Sequence, residues 1–290
     1  MRVAARIARR ELRGGLRGFR IFLACLTLGV AAIAAVGSVR VAIESGLARE
    51  GAAILGGDVE MSFALRTASD AERAWMAENA VAVSETLDFR SMAVARQGSE
   101  AVRGLTQVRA VDGLYPLYGA VGLSPDMTMA EALARRELPG AVMHPVLMAR
   151  MGLAIGESFT LGTQAFELRA ALESEPDMAG ANFGPGPRTI VAVTGLENSG
   201  LLAPGTLFDS QYRLQLAPEA DLDALQSEAN ARFGEASFGW RDRRNAAPAL
   251  RDFVDRIGAF LVLVGLAGLA VGGIGISAAV RSYLDRKTET

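Results

Sequence analysis

Two runs of this sequence carry no charge, and they set the terms for everything between them. Ile21–Val39 spans 19 residues and Ile257–Val280 spans 24. At about 1.5 Å of rise per residue, helices of these lengths reach roughly 28 and 36 Å. Each can cross a hydrocarbon core of about 30 Å, the longer one with tilt. A core helix of a soluble protein seldom runs so far uncharged. The sequence therefore predicts a transmembrane helix at 21–39 and another at 257–280. They divide the chain into a leading segment 1–20, a central domain 40–256 and a closing segment 281–290.

The second run holds five glycines within Val264–Val280. Glycine costs a soluble helix about 1 kcal/mol relative to alanine. In lipid the backbone cannot exchange its hydrogen bonds with water, and small residues let helices approach closely. Gly265, Gly268, Gly272, Gly275 and Ala279 recur at alternating spacings of three and four, which places them on one helix face. The first run has a similar seam in Ala24, Thr27, Ala31, Ala34 and Ser38. Both are read as helix-packing seams.

The leading segment, MRVAARIARRELRGGLRGFR, has seven arginines and one acid. Val3, Ile7, Leu12, Leu16 and Phe19 fall along one side if it is helical, as in a basic amphipathic helix at a membrane surface. It is too long for the leader of a signal peptide, although Ala35 and Gly37 would suit a cleavage site. The closing segment carries Arg281, Arg286 and Lys287. The basic flanks place both ends in the cytoplasm and residues 41–256 outside it. That middle portion has 29 acids against 19 bases. The sole cysteine, Cys25, lies in the first run, so the exported domain is expected to have no disulfide.

Much chemistry is excluded. The single lysine, Lys287, stands outside any glycine-rich loop, so neither a P-loop nor a protein-kinase site can form. The single histidine, His144, sits in VMHPVLMAR without a nucleophile motif and is read as a turn residue before Pro145. Nitrogen and sulfur ligands are too few for a zinc site. Acids are numerous, but no spacing marks a catalytic pair. No catalytic, cofactor or metal residue is assigned, no basic cleft or aromatic cage stands out, and no nucleic-acid partner is expected.

The exported domain reads as mixed α+β. Val41–Leu55 is expected as a helical stalk, with Ile43, Leu47, Gly51 and Ile54 on one side and Gly56-Gly57 as its stop. Asp58–Phe63 alternates as a strand. Ser69 and Glu72 form a capping box for a short helix through Trp75. Several strand-like pieces follow between Val81 and Asp112. Phe166, Leu168, Ala170 and Leu172 alternate with Glu167 and Arg169, and Tyr212, Leu214 and Leu216 with Arg213 and Gln215. Both read as half-buried strands. Asp221–Phe233 reads as helix and Asn182–Pro187 as an exposed loop. Leu250, Phe253, Val254 and Ile257 share a face of a second stalk, with Pro248 in its first turn. The fold class is thus α+β, with two transmembrane helices and helical stalks flanking an extracytoplasmic domain.

Several strings carry a resemblance. LGGDVEM (Leu55–Met61), VDGLYPLYG (Val111–Gly119), LMARMGLAIGESFTLG (Leu147–Gly162) and above all the stretch from Trp240 to Thr290 resemble FtsX-like ABC transporter permeases with a MacB-like periplasmic core domain, of the YbbP type. The resemblance implies a multi-pass permease subunit in a bacterial inner membrane, without an enzymatic activity of its own. It implies a separate cytoplasmic ABC ATPase as partner, with ATP-driven closure passed through the helices to move or release substrate on the far side. Membrane lipid is a further partner, as are the remaining permease spans or a second copy. Members of this family continue past the position of Thr290, so the chain is expected to be the amino-terminal portion of such a subunit. Two spans around an exported domain also describe a transmembrane sensor, or an anchored hydrolase. Sequence beyond Thr290 separates the first two: more apolar spans mean a permease, a signalling module a sensor.

The topology is open to direct test. With Cys25→Ala as background, Ser99→Cys should react with an impermeant maleimide in intact cells with a permeabilised outer envelope. Thr288→Cys should react only after the inner membrane is opened, and labelling of Thr288→Cys before then would refute the assignment.

Overall fold

A computed structural model describes residues 50–98, 100–176, 186–203, 205–234 and 238–246. It also describes Thr27, Val30, Ala31, Ala34, Ala35, 37–39, 41–42, Gly46, 252–253, 256–267, Ala270, Gly273 and Arg281. Its contacts divide the chain into two compact units, Met1–Gly46 with Pro248–Thr290, and Leu47–Ala247.

In the first unit the described residues are helical. Along 257–266 this helix exposes Phe260, Leu263, Val264 and Leu266 to its surroundings. Among the described residues no helix is long and apolar enough to cross a membrane. Much of both uncharged runs lies outside those residues, so the expected spans 21–39 and 257–280 rest on the sequence.

The second unit is the mixed α+β domain the sequence predicts. Its strands are β1 (Val59–Ala64), β2 (Ala82–Gln97), β3 (Glu100–Val111), β4 (Gly122–Ser124), β5 (Gly140–Met143), β6 (Ser158–Leu161), β7 (Gln164–Ser174), β8 (Arg188–Ala192), β9 (Asp209–Gln215) and β10 (Gly239–Asp242). They form one sheet in the order β10-β1-β9-β2-β3-β8-β5-β7-β4. β6 bridges β2 and β7, so the pairings close a ring, β2-β3-β8-β5-β7-β6-β2. β3 with β8 and β5 with β7 run parallel, and the other pairs are antiparallel. β2 belongs to both halves of the domain. Ala82–Asp88 pairs with β9, and Ala93–Ala95 pairs with β6 in the ring.

Three cores follow this layout. Phe89, Val108, Phe159, Phe166, Leu168 and Val191 fill the ring. Met61, Phe63, Trp75, Tyr212 and Leu214 join β1 and β9 to two helices, α1 (Asp70–Asn79) and, later in the chain, Leu222–Phe233. A third cluster, with Leu123, Ala132, Leu172 and Ile190, lies under the short helix α2 (Met129–Leu133).

Local signals explain several elements. Ser69 caps α1 and Glu72 reaches back to the Ser69 N–H at 2.7 Å, the reciprocal box expected from the sequence. The helix continues past Trp75 to Asn79. His144 is the N-cap of helix α3 (Pro145–Met151), its Nδ1 accepting from the Val146 N–H at 3.2 Å. That satisfies one of the orphan donors of the first turn. α3 lies against β3 at Gly104, where a Cβ would stand 2.7 Å from Leu147. The expected pieces between Val81 and Asp112 are instead two long strands in one hairpin, turning at Gly98.

Two expectations fail in the same way. The alternation puts Arg169 and Arg213 on the wet faces of half-buried strands, yet they are 5% and 2% exposed. The reason is that the second face is covered too. Arg169 is spent on carbonyls that end and follow α2, donating to Glu131 and Leu138 at 3.3 and 3.2 Å, and on the carboxylate of Glu167 at 2.9 Å. The expected loop 182–187 lies largely outside the described residues.

Glu72 offers a check on α1. It is buried and accepts from Arg66 Nη1 and Nη2 at 2.7 and 2.9 Å. Burial opposes its ionisation, but Arg66 and Ser69 outweigh that and hold its pKa below the usual value. A depressed carboxylate stabilises above its unfolded pKa and loses that stabilisation as pH falls through the folded one. Glu72→Gln should therefore lower the local opening free energy of α1, read by amide hydrogen exchange at neutral pH, by about 1–2 kcal/mol. The gap to wild type should narrow below about pH 4.

Candidate functional site

The chain comes into this domain along a helix covering residues 50–55 and leaves it after β10, and both places are built by glycine and by charge. Gly56 takes φ 77°, which a side chain would resist, and the Gly57 N–H reaches back to the Ala52 carbonyl at 3.0 Å. The helix stops there, as the sequence predicts, and β1 begins two residues later. β1 pairs directly with β10, placing Glu60 opposite Arg241 and Val59 opposite Asp242. The first and last strands of the domain are thus neighbours.

Ion pairs lock this junction. Asp58 accepts from Arg243 Nη1 at 2.8 Å through Oδ1, and from the Tyr118 hydroxyl and the Leu216 N–H, each at 2.9 Å, through Oδ2. The Arg243 N–H donates to the Asp58 carbonyl at 2.9 Å. Burial, then the Asp58 carboxylate, raises the Tyr118 pKa, so the phenol stays a donor. Glu60 is 1% exposed and stands between two cations. Arg241 on β10 donates to it from Nε at 3.1 Å, and Arg213 on β9 approaches to 3.5 Å. Arg213 extends the connection, donating to the Leu55 carbonyl at 3.0 Å, to Gln211 at 2.9 Å and to Thr86 on β2 at 2.8 Å. A single guanidinium therefore ties the end of the incoming helix to β1, β9 and β2. Asp242 accepts from the Arg244 N–H at 2.9 Å, and Arg244 also pairs with Asp223 at 2.9 Å, which fixes the turn Arg243–Asn245.

LGGDVEM and the start of the Trp240–Thr290 stretch carry the family resemblance, and it is their charges that meet at this junction. The usable signal is acid–x–acid leading into one strand, Asp58 and Glu60, and arginine–x–arginine leading out of another, Arg241 and Arg243, since residues two apart in extended chain share a face.

A cavity of about 550 Å³ opens between β3, α2 and the turn after β8, with walls from Val111, Tyr115, Met129, Leu133 and Val193. Glu85 and Asp112 line it as well, and both are engaged. Arg73 binds Glu85 at 2.9 and 3.0 Å, outweighing burial and lowering its pKa. Asp112 accepts from Ser84 at 2.8 Å and from the Glu85 N–H at 2.7 Å. Neither is placed as a free general base. Among the described residues no group of His, Cys, Asp and Glu could hold a metal ion.

Of the packing seams, Thr27, Ala31, Ala34 and Ser38 are helical and exposed, with the Ser38 hydroxyl donating to the Ala34 carbonyl at 2.9 Å. Gly265 is helical and buried. Ala24, Gly268, Gly272, Gly275 and Ala279 lie outside the described residues.

Asp58 holds three donors with two oxygens, and an amide in its place must aim its NH2 at one of them. Asp58→Asn should destabilise the domain by about 2–3 kcal/mol and Tyr118→Phe by about 1 kcal/mol. Thermal unfolding of the detergent-solubilised chain checks the order. Equal losses from the two would mean that the ion pair to Arg243 adds nothing.

No family model matches the chain. It is 24% identical over 261 residues to the ABC transporter permease YbbP of Escherichia coli (strain K12), an alignment covering 89% of this chain and 30% of that protein. The chain thus spans about a third of the length of this curated relative. Among solved structures, the periplasmic region of MacB from Actinobacillus actinomycetemcomitans matches with 9% identity and a TM-score of 0.45, covering 67% of this chain and 93% of that one. The extracellular domain of the noncanonic ABC-type transporter YknZ from Gram-positive bacteria matches with 11% identity and a TM-score of 0.39, covering 63% and 100%. By that curated relative the chain is similar, over most of its length, to an ABC transporter permease.

Proposed function

We propose that this chain is part of the permease subunit of an ABC transporter in a bacterial inner membrane, and that its exported domain carries motion between compartments. Residues 21–39 and 257–280 cross the membrane, both ends lie in the cytoplasm, and 41–256 lie in the periplasm. A separate cytoplasmic ABC ATPase supplies the energy, and substrate is moved or released on the periplasmic side. The exposed apolar side chains Phe260, Leu263, Val264 and Leu266 suit contact with lipid. The seam exposed at Thr27, Ala31, Ala34 and Ser38 suits close approach of another helix, from further permease spans or from a second copy.

The observation that carries this reading is the pairing of β1 with β10. A domain that relays movement from two membrane helices needs its incoming and outgoing strands to move as one body. Here they are adjacent, hydrogen-bonded and cross-linked through Asp58–Arg243 and Glu60–Arg241. From β1 the connection continues through β9 to the long strand β2, and so into the ring.

Spin labels at Glu78→Cys on α1 and Thr288→Cys in the closing segment, with Cys25→Ala, test the relay in nanodiscs holding the complete permease and its ATPase. A non-hydrolysable ATP analogue should change their distance distribution. Arg243→Met should diminish that change while ATP hydrolysis persists. A distribution indifferent to nucleotide in the wild-type complex would sink the proposal.

A further inference from the structure

The sequence shows no basic cleft, but the fold assembles one. β2 and β3 are paired so that Arg90 stands opposite Gln107, Met92 opposite Leu105, Val94 opposite Arg103 and Arg96 opposite Ala101. Residues two apart share a face. Arg90, Met92, Val94 and Arg96 therefore lie with Arg103 and Leu105 on one side of the hairpin. The other side, with Phe89, Ala93, Ala95 and Val108, points into the ring core. The outward side is open, with Met92 44% and Leu105 55% exposed, and Arg90, Arg96 and Arg103 exposed beside them. Near its ring end lies a cleft of about 340 Å³, bordered by Arg90, Leu105, Thr106, Pro187 and, from α3, Arg150.

Charge is what sets this face apart. The domain has an excess of acids, and its arginines elsewhere are mostly held: Arg66 by Glu72, Arg73 by Glu85, Arg109 by Asp88, Arg213 and Arg241 by Glu60. Arg90, Arg96, Arg103 and Arg150 make no ion pair and no side-chain hydrogen bond among the described residues. No acid occupies the outward positions from Arg90 to Arg96 or from Ala101 to Gln107. Scattered exposed arginines would need no explanation. Four unpaired ones around two directly opposed apolar side chains have the anatomy of a protein interface, an apolar centre in which Met is favoured, inside a rim rich in Arg.

We infer that the outward face of the β2–β3 hairpin, with the Arg90–Arg150 cleft, is a docking surface for an acidic segment of a partner protein. Such a segment sets apolar side chains over Met92 and Leu105 and carboxylates against Arg90, Arg96, Arg103 and Arg150. A guanidinium binds a carboxylate through two parallel N–H donors, which gives the contact orientation as well as attraction.

The test uses the detergent-solubilised full chain and fluorescein-labelled peptides alternating Glu and Leu, Gln and Leu, or Lys and Leu, read by anisotropy. The Glu–Leu peptide should bind saturably, more weakly as salt rises, and the Gln–Leu peptide should bind at least about tenfold more weakly. Arg103→Glu combined with Arg150→Glu should weaken the Glu–Leu peptide by about tenfold or more and gain binding of the Lys–Leu peptide. Arg136→Glu, at an exposed arginine away from this face, should change neither. Because the four arginines hold nothing within the fold, the variants should melt with wild type. Leu105→Ser, which leaves the charges in place, should also weaken the Glu–Leu peptide. Equal binding of Glu–Leu and Gln–Leu peptides would overturn the inference. So would a charge-reversed variant that binds as wild type does. Arginine-dependent binding to phosphatidylglycerol vesicles without peptide binding would also overturn it, and would make the face a membrane contact.

Discussion

Everything in the mixed α+β domain hangs on the contact between its first and last strands. β1 and β10 are separated by most of the domain's sequence, the partners Glu60 and Arg241 standing 181 positions apart. Closing so long a loop costs conformational entropy that grows slowly with length. The cost is met by a ladder of backbone hydrogen bonds and by ion pairs with little access to water. Glu60 at 1% exposure would be costly alone. Set between Arg241 and Arg213 it is charge-compensated on both sides. Such pairs add modest net stability, yet breaking one leaves a buried charge, so the junction resists partial opening. It holds as a unit or it fails as a unit.

From that junction the architecture is a chain of shared strands. β9 passes the register of β1 to the first half of β2, and the second half of β2 is a stave of the ring. A strand common to two cores cannot shift in one without disturbing the other, because a one-residue slip turns every side chain to the opposite face. On β2 that would expel Phe89 and Ala93 from the ring and drive Arg90 and Met92 inward. The domain is therefore stiff along the line from its chain ends to the hairpin tip. The hairpin side chains that face outward are left free for other uses.

The parts of this structure legible in the sequence are those set by neighbours along the chain. The capping box at Ser69 and Glu72, the glycine stop after residue 55 and the alternating strand from Phe166 to Leu172 all rest on contacts within a few residues. The helix of Leu222–Phe233 follows equally from its Asp221 cap. What escaped depends on pairings far apart in sequence. Alternation marks a strand but does not say whether its polar face meets water, so Arg169 and Arg213 were read as wet. Likewise Asp58 and Arg243 are 185 positions apart, and nothing local to either shows that they meet. Arg90 and Arg103 look like ordinary surface charges until the hairpin register sets them on one face. His144, read as a turn residue, caps a helix by the same short-range chemistry as Ser69. The signal for it is the following proline, which favours the first turn of a helix.

Gly51 shows why the junction has the composition it has. A Cβ at this position would stand 1.9 Å from the Arg243 carbonyl oxygen, a distance no side chain tolerates. Helix 50–55 thus presses its backbone directly on the turn that follows β10. The same turn supplies Arg243 to Asp58, and Asp58 immediately precedes the strand that this helix feeds. The backbone contact, the ladder and the ion pair enclose a small loop of structure with little room to flex. The sequence placed Gly51 on the apolar side of a stalk with Leu47 and Ile54, as one more small residue on a packed face. Its neighbour is instead a peptide carbonyl, and only glycine allows two backbones so close. Where two chain segments must move together, direct backbone contact is a stiffer coupling than side chains can give. Each rotatable bond removed from the contact removes one way for displacement to be absorbed rather than passed on.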